Sequence, residues 1–243
     1  MCGVVGIVKH RAASASVDAV SEMVRLVKHR GPDDSASQFF LGGEPLDNLD
    51  GDSSDWTIGL GHRRLSILDL REIGKQPMVY QNRYWVVYNG EVYNYIELRE
   101  ELTEKGYEFR TNTDTEVILA AFAEWREGCF ARLRGMWGLL IVDVESQEGF
   151  ISRDRLGINP LYLWRRDGLL AVVSEVKQLT ALSGFECRVD REAAAEFLAT
   201  GYEDAMRSFF VGVDPVPAGT FQRINLDSLS VSRPESFWQP ETS

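Results

Sequence analysis

The sequence predicts an α+β fold in which stacked sheets carry helices on their outer sides. Three observations lead there. Many short runs rich in β-branched and aromatic residues fall into two groups. Amphipathic helical patterns lie between and after those groups, rather than alternating with single strands. Two of the runs are joined by Arg166-Asp167-Gly168, where Asp-Gly signals a hairpin and so an antiparallel pair.

Each element has its own local cause. Val4 to Val8 is short and β-branched, as a buried strand requires. Ser16 can cap a helix whose apolar face is Val17, Val20, Val24 and Val27, with Met23 and Leu26 beside it. Gly31-Pro32 ends that segment, since both residues oppose helix. Residues 41–56 are rich in Gly and Asp and read as an exposed, mobile acidic loop. Ile58 to His62 and Tyr84 to Tyr88 read as strands. Ile96 to Lys105 reads as a helix ended by Gly106. Thr113-Asp114-Thr115-Glu116 has capping-box spacing and opens an apolar helix through Trp125. Strands follow at 137–144, 149–153, 161–165 and 169–174. Asp190 can cap a helix to about Ala199, and strands at 209–213 and 220–226 complete the set. From Arg233 the chain is polar, with Pro234 and Pro240, and reads as a linker or frayed end.

With 243 residues, the chain has ample material for a core. Hydrophobic content of 44% and charged content of 26% are ordinary for a globular protein. A net charge of −11 argues against a nucleic-acid surface. No run approaches the roughly 18 apolar residues of a membrane span. The apolar run at 3–8 is too short for a signal peptide and has no basic segment before it. Cys2, Cys129 and Cys187 are too scattered for a disulfide framework or a zinc site. His10, His29 and His62 have no metal-ligand spacing. Cys129 and Cys187 are expected to be buried or half-buried, and a reducing cytoplasm is the expected compartment.

The chemistry starts at the second residue. Removal of Met1 leaves Cys2 carrying both a thiol nucleophile and an α-amine that can serve as its base. Four further segments are dense in polar residues beside Gly: Lys28 to Asp34, Gly61 to Ile67, Tyr88 to Asn94 and Asn112 to Glu116. A thiolate attacking an amide needs donors aimed at the developing oxyanion, and the Asn89 side chain with the Gly90 backbone N–H can supply a pair. Taken alone, Asn-Gly reads as a type I′ turn. An amino-acid substrate needs a cation for its α-carboxylate and an anion for its α-amine. Arg64 and Asp114 are the candidates. In isolation they read as a surface ion pair and a helix-start Asp.

In this order, Cys2-Gly3-Val4-Val5-Gly6, His29-Arg30-Gly31-Pro32-Asp33, Arg64-Leu65-Ser66-Ile67, Asn89-Gly90-Glu91-Val92-Tyr93-Asn94 and Asp114-Thr115-Glu116 resemble the class II glutamine amidotransferases. The likeness is greatest to the glutaminase domain of glutamine-hydrolysing asparagine synthetases. Arg153 to Tyr162, Ser174-Glu175-Val176-Lys177 and Val216-Pro217-Ala218-Gly219 extend it over nearly the whole chain. The resemblance implies the four-layer αββα sandwich of N-terminal-nucleophile hydrolases, with the amidotransferase domain at 1–232 and a tail or linker at 233–243.

The resemblance also implies roles. Cys2 is the nucleophile, and Asn89 and Gly90 form the oxyanion hole. Arg64 holds the glutamine α-carboxylate and Asp114 its α-amine. Gly90 and Glu91, with the backbone near Ile67 and Leu68, line the pocket, and Arg30 supports it. The reaction is hydrolysis of the glutamine side-chain amide through a glutamyl thioester, with no metal or cofactor in this half. ATP and Mg are expected only in a synthetase domain or partner, because the relatives' Ser-Gly-Gly-x-Asp-Ser loop is absent from this sequence. The ammonia acceptor is then a synthetase-type partner or a further domain. Asn159 stands where many relatives have Lys. The competing expectations are a non-catalytic scaffold subunit and an N-terminal-nucleophile hydrolase acting on another amide. The sequence leaves homo-oligomerisation open.

Overall fold

Strand β1 (Gly3–Lys9) is buried along its whole length, and that double burial sets the architecture. In a computed structural model describing residues 1–240, its side chains alternate between two apolar clusters. Val4 and Val8 pack with Val87, Leu140 and Ile151, while Val5 and Ile7 pack with Val20, Met23 and Val24. A strand in this position must have a sheet on one side and a helix on the other.

The first sheet runs β11 (Val213–Pro215), β9 (Tyr162–Arg166), β10 (Leu169–Val173), β1, β4 (Ile58–Arg64), β2 (Asp34–Leu41) and β3 (Glu44–Leu46). The second runs β13 (Glu235–Ser236), β12 (Thr220–Asn225), β8 (Glu148–Arg153), β7 (Gly135–Asp143), β6 (Tyr84–Val92) and β5 (Met78–Tyr80). Every pairing is antiparallel. Helix α1 (Val17–Leu26) covers the first sheet. Helices α2 (Tyr95–Glu104), α3 (Asp114–Trp125) and the short α4 (Cys129–Arg132) cover the second. Helix α5 (Arg191–Thr200) is largely exposed. The three apolar clusters are the three interlayer spaces of an αββα sandwich. Strand β7 shows this as clearly as β1: Leu139 and Ile141 face the helices, and Leu140 and Val142 face the other sheet. The sheets approach closely at Gly6, where an added Cβ would lie 2.2 Å from Leu140 Cδ2.

Local signals place the helix starts well. Ser16 accepts from Ala19 N, and Asp190 accepts from Glu192 N and Ala193 N. Thr113 accepts from Glu116 N, but the reciprocal half of the capping box does not form. The Glu116 carboxylate instead takes the N–H groups of Arg110 and Thr111, fixing the turn before the helix.

The structure corrects several expectations. Residues 41–56 do not form a free loop. Part of the segment is β3, paired with β2, and Trp56 is fully buried in the α1 layer. Gly51 O and Ser53 O accept from Asp18 N and Val17 N, so the segment also satisfies the start of α1. The strand expected at 209–213 is displaced to 213–215, because Gly212 breaks the chain with φ +77°. Cys187 is exposed, whereas Cys129 is buried. Part of the expected tail is anchored, its last three residues lying outside those described: Glu235 and Ser236 pair with β12, and the Phe237 ring stacks on Trp137 at 5.7 Å.

Candidate active site

Four sequence-distant segments meet at one end of the sandwich. Cys2 enters from the start of β1, Arg64 from the end of β4, Asn89 to Glu91 from β6, and Asp114 from the first residue of α3. With Ile67 and Leu68 of the loop after β4, all of them line a single cavity of about 100 Å³. A lone water needs roughly 10–15 Å³ of such space, so the cavity suits a small amino acid better than a polymer.

The Cys2 backbone N–H donates to Asn89 Oδ1 at 2.7 Å, and the Cys2 carbonyl accepts from Arg30 Nε at 2.7 Å. These two bonds hold the chain terminus at both ends of one residue. Leu65 N donates to Cys2 Sγ at 3.4 Å. Burial pushes the Cys2 thiol above its ordinary value; the Leu65 contact, the terminal ammonium and Arg64 oppose that rise.

The Asn-Gly pair is not a turn. Strand β6 continues to Val92, so Asn89 and Gly90 sit opposite Gly138 and Trp137 of β7. Beyond Val86 the other edge of β6 has no strand partner. Tyr88 N donates off that edge to Gln76 Oε1 at 2.7 Å, and Val92 N donates to Asp114 Oδ2 at 2.9 Å. Gly90 lies midway with the same parity, so its N–H points off the same edge, toward the cavity. Any side chain at 90 would collide with β7, because a Cβ there would be 2.1 Å from Met136 O. The Asn89 Nδ2 donates to Asn159 Oδ1 at 2.9 Å. One of its two N–H groups is thereby used and one is left over.

Asp114 is buried, and desolvation raises its carboxyl above the usual range. The Val92 N–H and the Tyr88 hydroxyl, the latter at 2.8 Å from Oδ2, offset that rise. The Tyr88 hydroxyl is itself pushed far up by burial and by Asp114, so it stays a donor. Arg64 is also buried and gives its guanidinium N–H groups to the carbonyls of Leu68, Asp69 and Arg71. It therefore ties down the loop over the cavity while presenting charge to it. Ile67 is exposed at the rim, whereas Glu91 is half-buried. Among the described residues, no cluster of His, Cys, Asp or Glu could hold a metal ion. No helix among them is long and apolar enough to cross a membrane.

The arrangement sets one thiol, a spare amide N–H, a backbone N–H, one cation and one anion around a space of amino-acid size. A model of the glutamine amidotransferase domain matches residues 1–238. The chain belongs to the glutamine amidotransferase family. It is a class II member, similar to the glutaminase part of asparagine synthetases. It is 37% identical over 203 residues to the glutamine-hydrolysing asparagine synthetase 1 of Bacillus subtilis, covering 82% of this chain and 29% of that one. It is 35% identical over 245 residues to a putative glutamine-hydrolysing asparagine synthetase of Mycobacterium tuberculosis, covering 95% of this chain and 36% of that one. The amidotransferase thus spans about a third of the length of these relatives. The solved glutamine phosphoribosylpyrophosphate amidotransferase of B. subtilis superposes with a TM-score of 0.68 at 19% identity, over 98% of this chain and 50% of that one, which shows a shared fold.

Sequence reasoning missed Gln76, Tyr88 and Asn159 as parts of this amidotransferase site. Gln76 and Tyr88 line the cavity and act through Tyr88 N and Asp114, contacts that no spacing rule reveals. Asn159 was visible only as an unusual residue within a matching segment.

Proposed function

We propose that this chain hydrolyses the side-chain amide of glutamine to glutamate and ammonia, with Cys2 as the covalent nucleophile. What carries the reading is the convergence of Cys2 with Asn89, Gly90, Arg64 and Asp114 on one cavity. Met1 is 57% exposed, so a processing enzyme can reach it. With Met1 removed, the Cys2 α-amine takes the thiol proton as sulfur attacks the amide carbon. The tetrahedral oxyanion is held by the spare Asn89 Nδ2–H and the Gly90 N–H. The ammonium returns its proton to the leaving nitrogen, the C–N bond breaks, and ammonia departs from a glutamyl thioester. Water then attacks the thioester, the C–S bond breaks, and glutamate leaves with the thiol restored. Arg64 grips the α-carboxylate and Asp114 the α-ammonium, while the Leu68 backbone and Glu91 line the walls. This half-reaction uses no cofactor.

The ammonia acceptor, with any ATP and Mg, belongs to a synthetase-type domain or partner. The relatives' names give aspartate amidation as the first candidate, and a cytoplasmic setting fits it. The deciding test is glutamate release by protein whose N-terminus is confirmed by intact mass, beside Cys2→Ala. Loss of at least a thousandfold in the variant supports the reading. Equal release by both proteins overturns it.

A further inference from the structure

The stretch from Arg153 to Tyr162 supplies no reacting group to the chemistry above, yet it is densely braced by its own side chains. Asp154 is 1% exposed and accepts from the N–H groups of Trp137, Leu156, Ile158 and Asn159. Arg153 donates to the carbonyls of Gly157, Asn159 and Val216 at 2.7–2.9 Å. Pro160 follows directly. The bracing fixes the turn that ends in Asn159, whose side chain is buried at the cavity.

We propose that Asn159 is a positioning residue that aims the Asn89 amide at the oxyanion. The inference rests on the reading of Asn89 as an oxyanion donor. Asn89 has one acceptor and two N–H groups. Cys2 N–H occupies Oδ1, and Asn159 Oδ1 occupies one N–H. The amide is thus pinned at both ends of its own dipole, and the second N–H is directed by default to the remaining side. Without Asn159, one end is loose and a buried donor is unmet, which lets the amide turn away. Among the described residues the Asn159 Nδ2 has no protein partner, so the residue's side-chain hydrogen bond to the protein is the one Oδ1 accepts from Asn89. Asn159 touches neither Arg64 nor Asp114 by hydrogen bond, so its effect belongs on the chemical step rather than on glutamine binding.

The test is a double-mutant cycle on processed full-length protein. Steady-state glutamate release is measured for Asn159→Ala, Asn159→Leu, Asn89→Ala and Asn89→Ala/Asn159→Ala, with thermal melts to confirm folding. Leucine fills the asparagine volume without an acceptor, so it serves if alanine unfolds the protein. The expected result is a kcat about 10–30-fold lower for Asn159→Ala or Asn159→Leu with KM changed less than about threefold, below the 10²–10³ typical of deleting an oxyanion donor outright. In the Asn89→Ala background, losing Asn159 should cost less than about twofold, since a residue acting only through Asn89 has nothing left to aim. Wild-type kcat in the folded Asn159 variants overturns the proposal. So does a full second loss in the double variant, which marks a merely structural role. If Asn89→Ala itself keeps wild-type kcat, the oxyanion assignment falls and this inference with it.

Discussion

Tyr88→Phe removes one oxygen atom and nothing else from the back wall of the site. That hydroxyl is buried and donates to Asp114 Oδ2 at 2.8 Å. A hydrogen bond to a buried charge contributes about 1.5–3 kcal/mol. At about 1.4 kcal/mol per pKa unit, the Asp114 carboxyl should rise by about one to two units. It starts from a value already raised by burial, so the rise carries it toward neutral pH. In the role proposed for it, a protonated Asp114 cannot hold the α-ammonium of glutamine. KM for glutamine should therefore climb as pH falls, and the acid limb of kcat/KM should move to higher pH by about one to two units. The assay is glutamate release from pH 5 to 9, with kcat and KM resolved at each pH. Stability supplies a second readout. A carboxyl whose folded pKa lies above its unfolded value stabilises the fold at low pH, and that contribution is lost as pH rises through the folded value. The variant's melting temperature should thus fall more at pH 8 than at pH 4, by about 2–4 °C per kcal/mol for a chain of this size. An acid limb at the same pH in both enzymes, or a loss of activity equal at every pH, refutes the reasoning.

Other predictions follow from the same geometry. Arg64→Ala should raise KM for glutamine about 10²-fold, since truncating one partner of a buried charge pair costs about 2–5 kcal/mol; an unchanged KM in steady-state assays removes the carboxylate assignment. Gly90→Ala places a Cβ 2.1 Å from Met136 O, so β6 must shift away from β7. Both kcat and the melting temperature should fall, and an alanine variant with wild-type kcat would show that the Gly90 N–H is not a donor. Burial holds the His62 pKa near 4, from 6.5, so the folded state refuses a proton that the unfolded chain accepts between those values. Stability measured by urea midpoints should decline as pH drops from 6.5 toward 4, by up to about 3 kcal/mol. His62→Gln, which keeps a donor for Tyr88 O, should flatten that decline.

Much of this was legible in the chain, for local reasons. Ser16, Thr113 and Asp190 cap helices because a side-chain oxygen within three residues of free N–H groups acts wherever it lies. Asp167-Gly168 turns a hairpin because both residues tolerate the positive φ they adopt. Strands β2, β3 and β5 were not legible. Ser35, Ser37 and Gln38 carry little apolar pattern, and β2 exists because β4 offers its open edge. The Asn89-Gly90 pair misleads locally for the same reason: its pairing with Gly138 and Trp137 overrides a strong turn signal. The acidic 41–56 segment was misjudged because Trp56 finds its burial against Phe39 and the α1 layer, a partner far off in the pattern.

By itself, the sequence determined which groups could do chemistry. A thiol and an α-amine on one residue, an Asn-Gly pair, an Arg and an Asp are choices of atom type, and atom type is written in the chain. It also determined the layering, because apolar residues on both faces of β1 and β7 demand partners on both sides. The tertiary structure alone decided how those groups are aimed. The open edge of β6 directs the N–H of Gly90, the Tyr88 hydroxyl stabilises the charge of Asp114, and Asn159 pins Asn89 across 70 residues of chain. Direction is a property of packed neighbours, and neighbours that are distant in sequence leave no periodicity to read.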